Sequence, residues 1–348
     1  MKIKYYLFFF ILLFTLNGYA QKPSYKNINI RYVQPPKEPL PVNVKTYYTQ
    51  ILNEIPEIVD INNFTMTKIT HTDVTLAGYK KTTETTKAHI LLKMNFHSAN
   101  FVSKIHKTTT RIKKDGKRVE VPAEQLVITA SIKSDILMRD VLNNKDIVIQ
   151  DNFVLEQVYD SGAIEEIGLA SKILKRDGKR KAYGMYRNML DKRVREFSNM
   201  IDEKYGYPIK STKMKITIGK GKKYDYSDLE QAYDSIKKLI KNNPNSFRRY
   251  QYNEQIQTLN YCIKIWKNAI KEYQPNSKKA RINDKIVGGL YNNIAWANFL
   301  LRDWDNIYKS TGQSLLFKES KKNSESISKF FRRIQKLRAL SPTRYEKN

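Results

Sequence analysis

Apolar side chains recur along this chain with two different periods, and the change from one to the other divides it. Between about Val42 and Val158 the period is two. Ala88, Ile90, Leu92, Met94 and Phe96 alternate with His89, Leu91, Lys93, Asn95 and His97, and Leu126, Ile128, Ala130 and Ile132 repeat the pattern. Successive side chains of a strand point to opposite faces, so this alternation predicts strands covered on one face and open on the other. Asp115-Gly116 lies between two such runs, and both residue types tolerate the positive φ of a type I′ turn, which predicts a hairpin. Asn143-Asn144, ahead of Ile147 and Ile149, predicts a second turn. The count is six or seven strands in one antiparallel sheet.

Beyond Val158 the period lengthens. Tyr183, Tyr186, Leu190, Val194, Phe197 and Ile201 recur at three and four, the mark of an amphipathic helix. Asp177-Gly178 predicts a break from an earlier helix over about Ala163 to Leu174. Met214 to Ile218 reads as one more strand after the Tyr207-Pro208 turn. Strands followed by helices on one sheet face give an α+β domain over residues 42–223. From Ser227 the pattern is wholly helical. Ser227-Asp228-Leu229-Glu230 fits a capping box, and Asn243-Pro244 closes that helix. Three further stripes follow: Ile256, Leu259, Ile263, Trp266, Ile270 and Tyr273; Ile282, Ile286, Leu290, Ile294 and Leu301; and Ile327, Phe330, Phe331, Ile334 and Leu337.

The stretch Asn293 to Asp305 resembles the helix junction of a tetratricopeptide repeat, with Ala295, Ala297, Leu301 and Trp304 at the small and aromatic places. Arg302 stands where that family usually has a turn glycine, and Ile307 replaces a small residue. Ala232, Ile236, Leu239 and Pro244 match the spacing of a second helix and its closing proline. The two matches share no 34-residue register, so the resemblance covers about 225–318 and implies an irregular helical array. With its β-rich front, the chain is also similar to secreted Gram-negative bacterial proteins of that layout. The resemblance implies an all-α domain over 224–348 that grips a partner protein, with Tyr291, Asn298 and Trp304 as candidate groove residues.

The amino terminus changes the picture of where the chain works. Lys2 and Lys4 precede twelve largely apolar residues, Tyr5 to Leu16, and Gly18 and Ala20 stand at −3 and −1 of a cut after Ala20. That is a secretory leader, too short for a transmembrane span. Residues 1–20 are therefore expected to be removed, leaving a protein of the periplasm or outer envelope, or an extracellular one, with no transmembrane span. Residues 21–41 hold Pro23, Pro35, Pro36, Pro39 and Pro41 and read as a tether, in which Ile28, Ile30 and Tyr32 allow a short edge strand.

The net charge is +29, and loss of two lysines with the leader lowers it to +27. The excess is 46 Lys against 17 Arg, which suits diffuse attraction to polyanions or an anionic membrane surface better than specific readout. Its densest places are Lys175, Arg176, Lys179, Arg180 and Lys181, and Arg332, Arg333 and Lys336. The last three line a helix whose apolar stripe either docks on the array or, with Phe330 and Phe331, meets a membrane. A single cysteine, Cys262, excludes an internal disulfide and sits in an apolar stripe as a buried side chain. No Gly-x-Ser-x-Gly elbow or Walker loop is present, and Gly219-Lys220-Gly221-Lys222-Lys223 lacks phosphate-cradle spacing. His71, His89, His97 and His106 form no ligand motif, and neither Glu165-Glu166 nor Asp73 with Glu84 is a specific acid pair. The expectation is an exported scaffold or adaptor with no cofactor or metal and no enzymatic activity. The alternative is a basic module that binds lipopolysaccharide, acidic glycan or nucleic acid.

Overall fold

A computed structural model describes residues 22–53, 73–220, 223–242 and 253–340. The expected leader, His71, Gly221-Lys222 and Asn243-Pro244 lie outside these residues. The chain mixes helix and strand and divides into two compact units. One is Glu38–Tyr207; the other combines the described residues before Glu38 with those after Tyr207.

The first unit is built on a five-stranded sheet. Its strands are β2 (Thr46–Asn53), β3 (Lys80–Lys81), β4 (Ile90–Lys114), β5 (Lys117–Asp140) and β6 (Lys145–Ile164), in the order β3-β2-β4-β5-β6. β4, β5 and β6 form an antiparallel meander, but β2 runs parallel to both β3 and β4, so the sheet is mixed rather than wholly antiparallel. Asp115 and Gly116 turn β4 into β5 with φ of 50° and 79°. At the next turn Asn144 is left-handed, and the Asp140 carboxylate accepts from the backbone and side-chain N–H of Asn143.

One helix, α1 (Leu169–Lys204), covers the inner face of this sheet. Tyr186, Leu190, Val194, Phe197 and Ile201 meet Leu92, Met94, Phe96, Leu126, Ile128 and Ile136 in one core. The break expected at Asp177-Gly178 does not occur. Asp177 holds Arg176 and Arg180, Gly178 is buried against Leu174, and packing on the sheet outweighs the ~1 kcal/mol by which an interior glycine weakens a helix.

In the second unit the described residues form five helices around a ribbon. β1 (Lys22–Val33) pairs antiparallel with β7 (Ile209–Lys220) along its whole length. Residues 22–33 are therefore a long strand rather than a tether, and β7 belongs with the helices rather than with the first unit. The reason lies in the alternation: Ile28 and Ile30 line up with Met214, Ile216 and Ile218 to make an apolar ribbon face that the helices bury. The helices are α2 (Ser227–Asn242), α3 (Asn253–Lys271), α4 (Asp284–Leu301), α5 (Trp304–Leu315) and α6 (Lys321–Ala339).

Helix α4 lies at the centre and packs against α3, α5, α6, β1 and β7. A methyl group at Gly289 would overlap Thr217 of β7, and one at Gly288 would overlap Ser320, so this glycine pair admits close neighbours on two sides. The Asn293 side chain accepts from the Thr217 N–H (2.8 Å) and donates to the Thr217 carbonyl (2.7 Å), pairing a strand edge that would otherwise be buried unsatisfied. The helical part is thus not an all-α repeat array: its central helix is seated on a β-ribbon. The expected α4–α5 hairpin is present. Ala295 and Ala297 are buried, Trp304 opens α5, and Arg302 adopts φ of 60° as the left-handed cap.

Candidate binding surfaces

The candidate groove residues do not line one opening. Asn298 is only 4% exposed. Tyr291 is half-buried and stacks on Phe317, with ring centroids 6.2 Å apart. Trp304 packs edge-on against Phe299 at 6.1 Å, and the Arg338 guanidinium lies over its ring. All three pack within the helix cluster, Asn298 fully and Tyr291 and Trp304 in part.

The candidate basic residues fall into two groups, one in each unit. Lys175, Arg176, Lys179, Arg180 and Lys181 are on α1. There Arg176 and Arg180 share Asp177, whose carboxyl the Arg176 guanidinium holds below its usual range, and the Lys181 ammonium sits 3.9 Å over the Tyr159 ring. Arg332, Arg333 and Lys336 are exposed on α6, whose Ile327, Phe331 and Ile334 are buried in the core. Phe330 packs on Tyr32, Trp296 and Phe299, so the apolar face of α6 is engaged within the protein.

The histidines and acids weighed for chemistry make these contacts. His89 Nδ1 accepts the Lys45 N–H at 3.0 Å, and His97 Nε2 lies 2.6 Å from the Asp135 carboxylate. Burial pushes the Asp135 carboxyl up, but the Asn152 N–H and His97 outweigh it and hold the group below its usual range. Asp73 and Glu84 are bound by Lys81 and Lys87 rather than by each other. Among the described residues no three His, Cys, Asp or Glu side chains gather in a way that would hold a metal. Gly219 continues β7, and the Tyr226 ring occupies the space where a side chain would stand.

The outer face of the five-stranded sheet was not singled out by the sequence. Helix α1 takes the inner face, and on the outer face several aliphatic side chains remain open. Val102, Thr129 and Val158 are directly opposite one another on β4, β5 and β6, a row spanning about 10 Å at the usual strand separation. Val158 and Ile149 are each 60% exposed, and Val102 and Val154 are exposed as well. Charged residues share this face with them: Lys104 is two positions from Val102, Lys133 is opposite Val154, and Glu156 lies between Val154 and Val158, while Gln125 is bonded to Asp160. A usable signal was present. Val154 and Val158 are an even number of residues apart, so they share a strand face, and it is the face opposite Leu155.

No family model matches the chain, and no curated protein matches it. Among solved structures, one that it resembles is described as a neuraminyllactose-binding hemagglutinin homologue from Helicobacter pylori. The match has 9% identity, spans 48% of this chain and 92% of that one, and has a TM-score of 0.19. A likeness at that level carries neither fold nor function to this chain.

Proposed function

We propose that the protein is an exported, non-catalytic adaptor that holds a partner protein of the cell envelope against the open face of its five-stranded sheet. The observation that supports this reading is the exposed row Val102, Thr129 and Val158, with Val154 four residues along β6 and the charged residues Lys104, Lys133 and Glu156 around it on the same face. Grouped exposed aliphatics with a polar surround have the composition of a protein interface, with an apolar centre and a polar rim. The free edge of the sheet is a poorer template. β6 carries left-handed residues at Asn152 and Gly162, and its register with β5 shifts in three places, devices that blunt an edge against strand addition. The adaptor reading thus rests on the sheet rather than on the helices.

The test replaces Val102 and Val158 with Asp in the full chain and compares the proteins recovered with it from envelope extracts. Recovery of a defined partner falls about tenfold or more, as expected at the centre of an interface. Equal recovery of the same proteins by both forms refutes the sheet as the binding face.

A further inference from the structure

Helix α6 carries seven cationic residues and one acid, Glu325. At 3.6 residues per turn, Lys322, Lys329, Arg333 and Lys336 fall within about 60° of one another, on a line about 21 Å long, with Arg332 beside it. All five are exposed, and none makes an ion pair among the described residues. Helix α1 differs: there Arg176 and Arg180 are held by Asp177, and Lys192 lies 3.9 Å from Glu196.

Part of this placement works against the helix. Lys329 with Arg332 and Arg333, and Lys336 with Arg332 and Arg333, are like-charge pairs at spacings of three and four, which destabilise a helix. Lys321 and Lys322 sit in the first turn, at the positive end of the macrodipole, with no acid there to offset them. Lys336 and Arg338 in the last turn do complement the macrodipole, and Glu325 stands four residues before Lys329, but helix stability leaves the cluster Lys329, Arg332 and Arg333 unexplained; a negatively charged partner accounts for it. The partner must meet a convex face. A straight line of cations on a convex rod can touch a plane along its whole length, whereas glycans and single strands are generally held in grooves. The aromatic rings that could stack on bases, Phe330, Phe331 and Trp296, are turned into the core cluster.

We propose that α6 is an electrostatic docking face for an anionic bilayer surface, engaged through Lys322, Lys329, Arg332, Arg333 and Lys336 without insertion of side chains into the hydrocarbon. Ile327, Phe331 and Ile334 are committed to the core, so binding is carried by charge alone. Each cation near an anionic surface strengthens binding about fivefold, and salt screens the attraction within about 10 Å at 0.1 M. This inference concerns the helical unit and does not depend on the sheet-face reading.

The experiment is vesicle co-sedimentation of the full chain with phosphatidylglycerol–phosphatidylcholine vesicles and with pure phosphatidylcholine vesicles, at low and high salt. The expected result is binding to the anionic vesicles only, abolished by salt. Replacing Lys329, Arg333 and Lys336 together by Gln should weaken it about 100-fold. Replacing Lys329 and Lys336 by Arg keeps the charge and should retain binding, which separates loss of charge from loss of fold. Removing Lys175 and Arg176 on α1 should have little effect. Equal binding to both vesicle types, binding that survives high salt, an unaffected triple variant, or tighter capture by soluble heparin than by anionic vesicles would each overturn the proposal.

Discussion

Single residues decide how closely the helical unit packs. Gly288 and Gly289 are poor helix formers, yet both are in the most buried helix, because the backbone of α4 must lie against β7 on one side and against Ser320 and Phe317 on the other. Gly289→Ala would gain helix propensity of about 1 kcal/mol and lose more than that through the overlap with Thr217. A lowered melting temperature is the expected outcome, read by thermal denaturation; an unchanged or higher one would mean that α4 is not seated on the strand. Cys262 is fully buried, and its thiol donates to the Ala232 carbonyl. Burial pushes the thiol up to about 12 from its ordinary 9.0. A raised value means that the folded state disfavours the thiolate. The associated stability is therefore complete below about pH 9 and is lost as pH rises from there towards 12. At pH 8 a disulfide reagent should modify Cys262 only on unfolding. Rapid modification of the native protein would contradict its placement.

At the scale of elements, what could be read in advance followed local physics, and what could not depended on distant partners. The Asp115-Gly116 hairpin, the Asn143-Asn144 turn, the apolar stripe of α1 and the α4–α5 junction were legible, because each depends on residues within a few positions of one another. The pairing of β1 with β7 was not. Nearly 180 residues separate them in sequence, and alternation in Ile28 and Ile30 cannot name its partner. For the same reason the proline-rich start read as a tether, although Pro35, Pro36, Pro39 and Pro41 all follow the end of the strand at Val33. The capping box at Ser227 also failed locally: the Asp225 carboxylate accepts from both the Ser227 N–H and its hydroxyl, so the cap comes from two residues earlier. The candidate site was the least legible part. Burial of Asn298 and exposure of Val158 are properties of the folded unit and not of any short window. The continuity of α1 offers a direct check. A side chain at position 178 would meet only the flexible end of Leu174, so Gly178→Ala should stabilise the protein by up to about 1 kcal/mol. A destabilised variant would point to a turn at Asp177-Gly178 instead.

Over the whole molecule, two units with separate cores carry two kinds of surface. In the sheet unit the open valines form an exposed apolar row with Lys104, Lys133 and Glu156 around it. In the helical unit the apolar face of α6 is satisfied internally, and what remains is charge. The net charge of +29 is thus not uniformly available: part of it is bound by neighbouring acids, and the α6 stripe is not. On the two proposals above, protein contact falls to one unit and anionic contact to the other.

The adaptor reading is tested most directly by site-specific photocrosslinking from the full chain in living cells, with the crosslinking residue placed at Val158, at Val102, or at the exposed Tyr261 of α3. A discrete adduct of the same mass from Val158 and Val102, and none from Tyr261, is the predicted result. No adduct from either sheet position, or an identical one from Tyr261, would contradict the sheet face as the place where a partner is held.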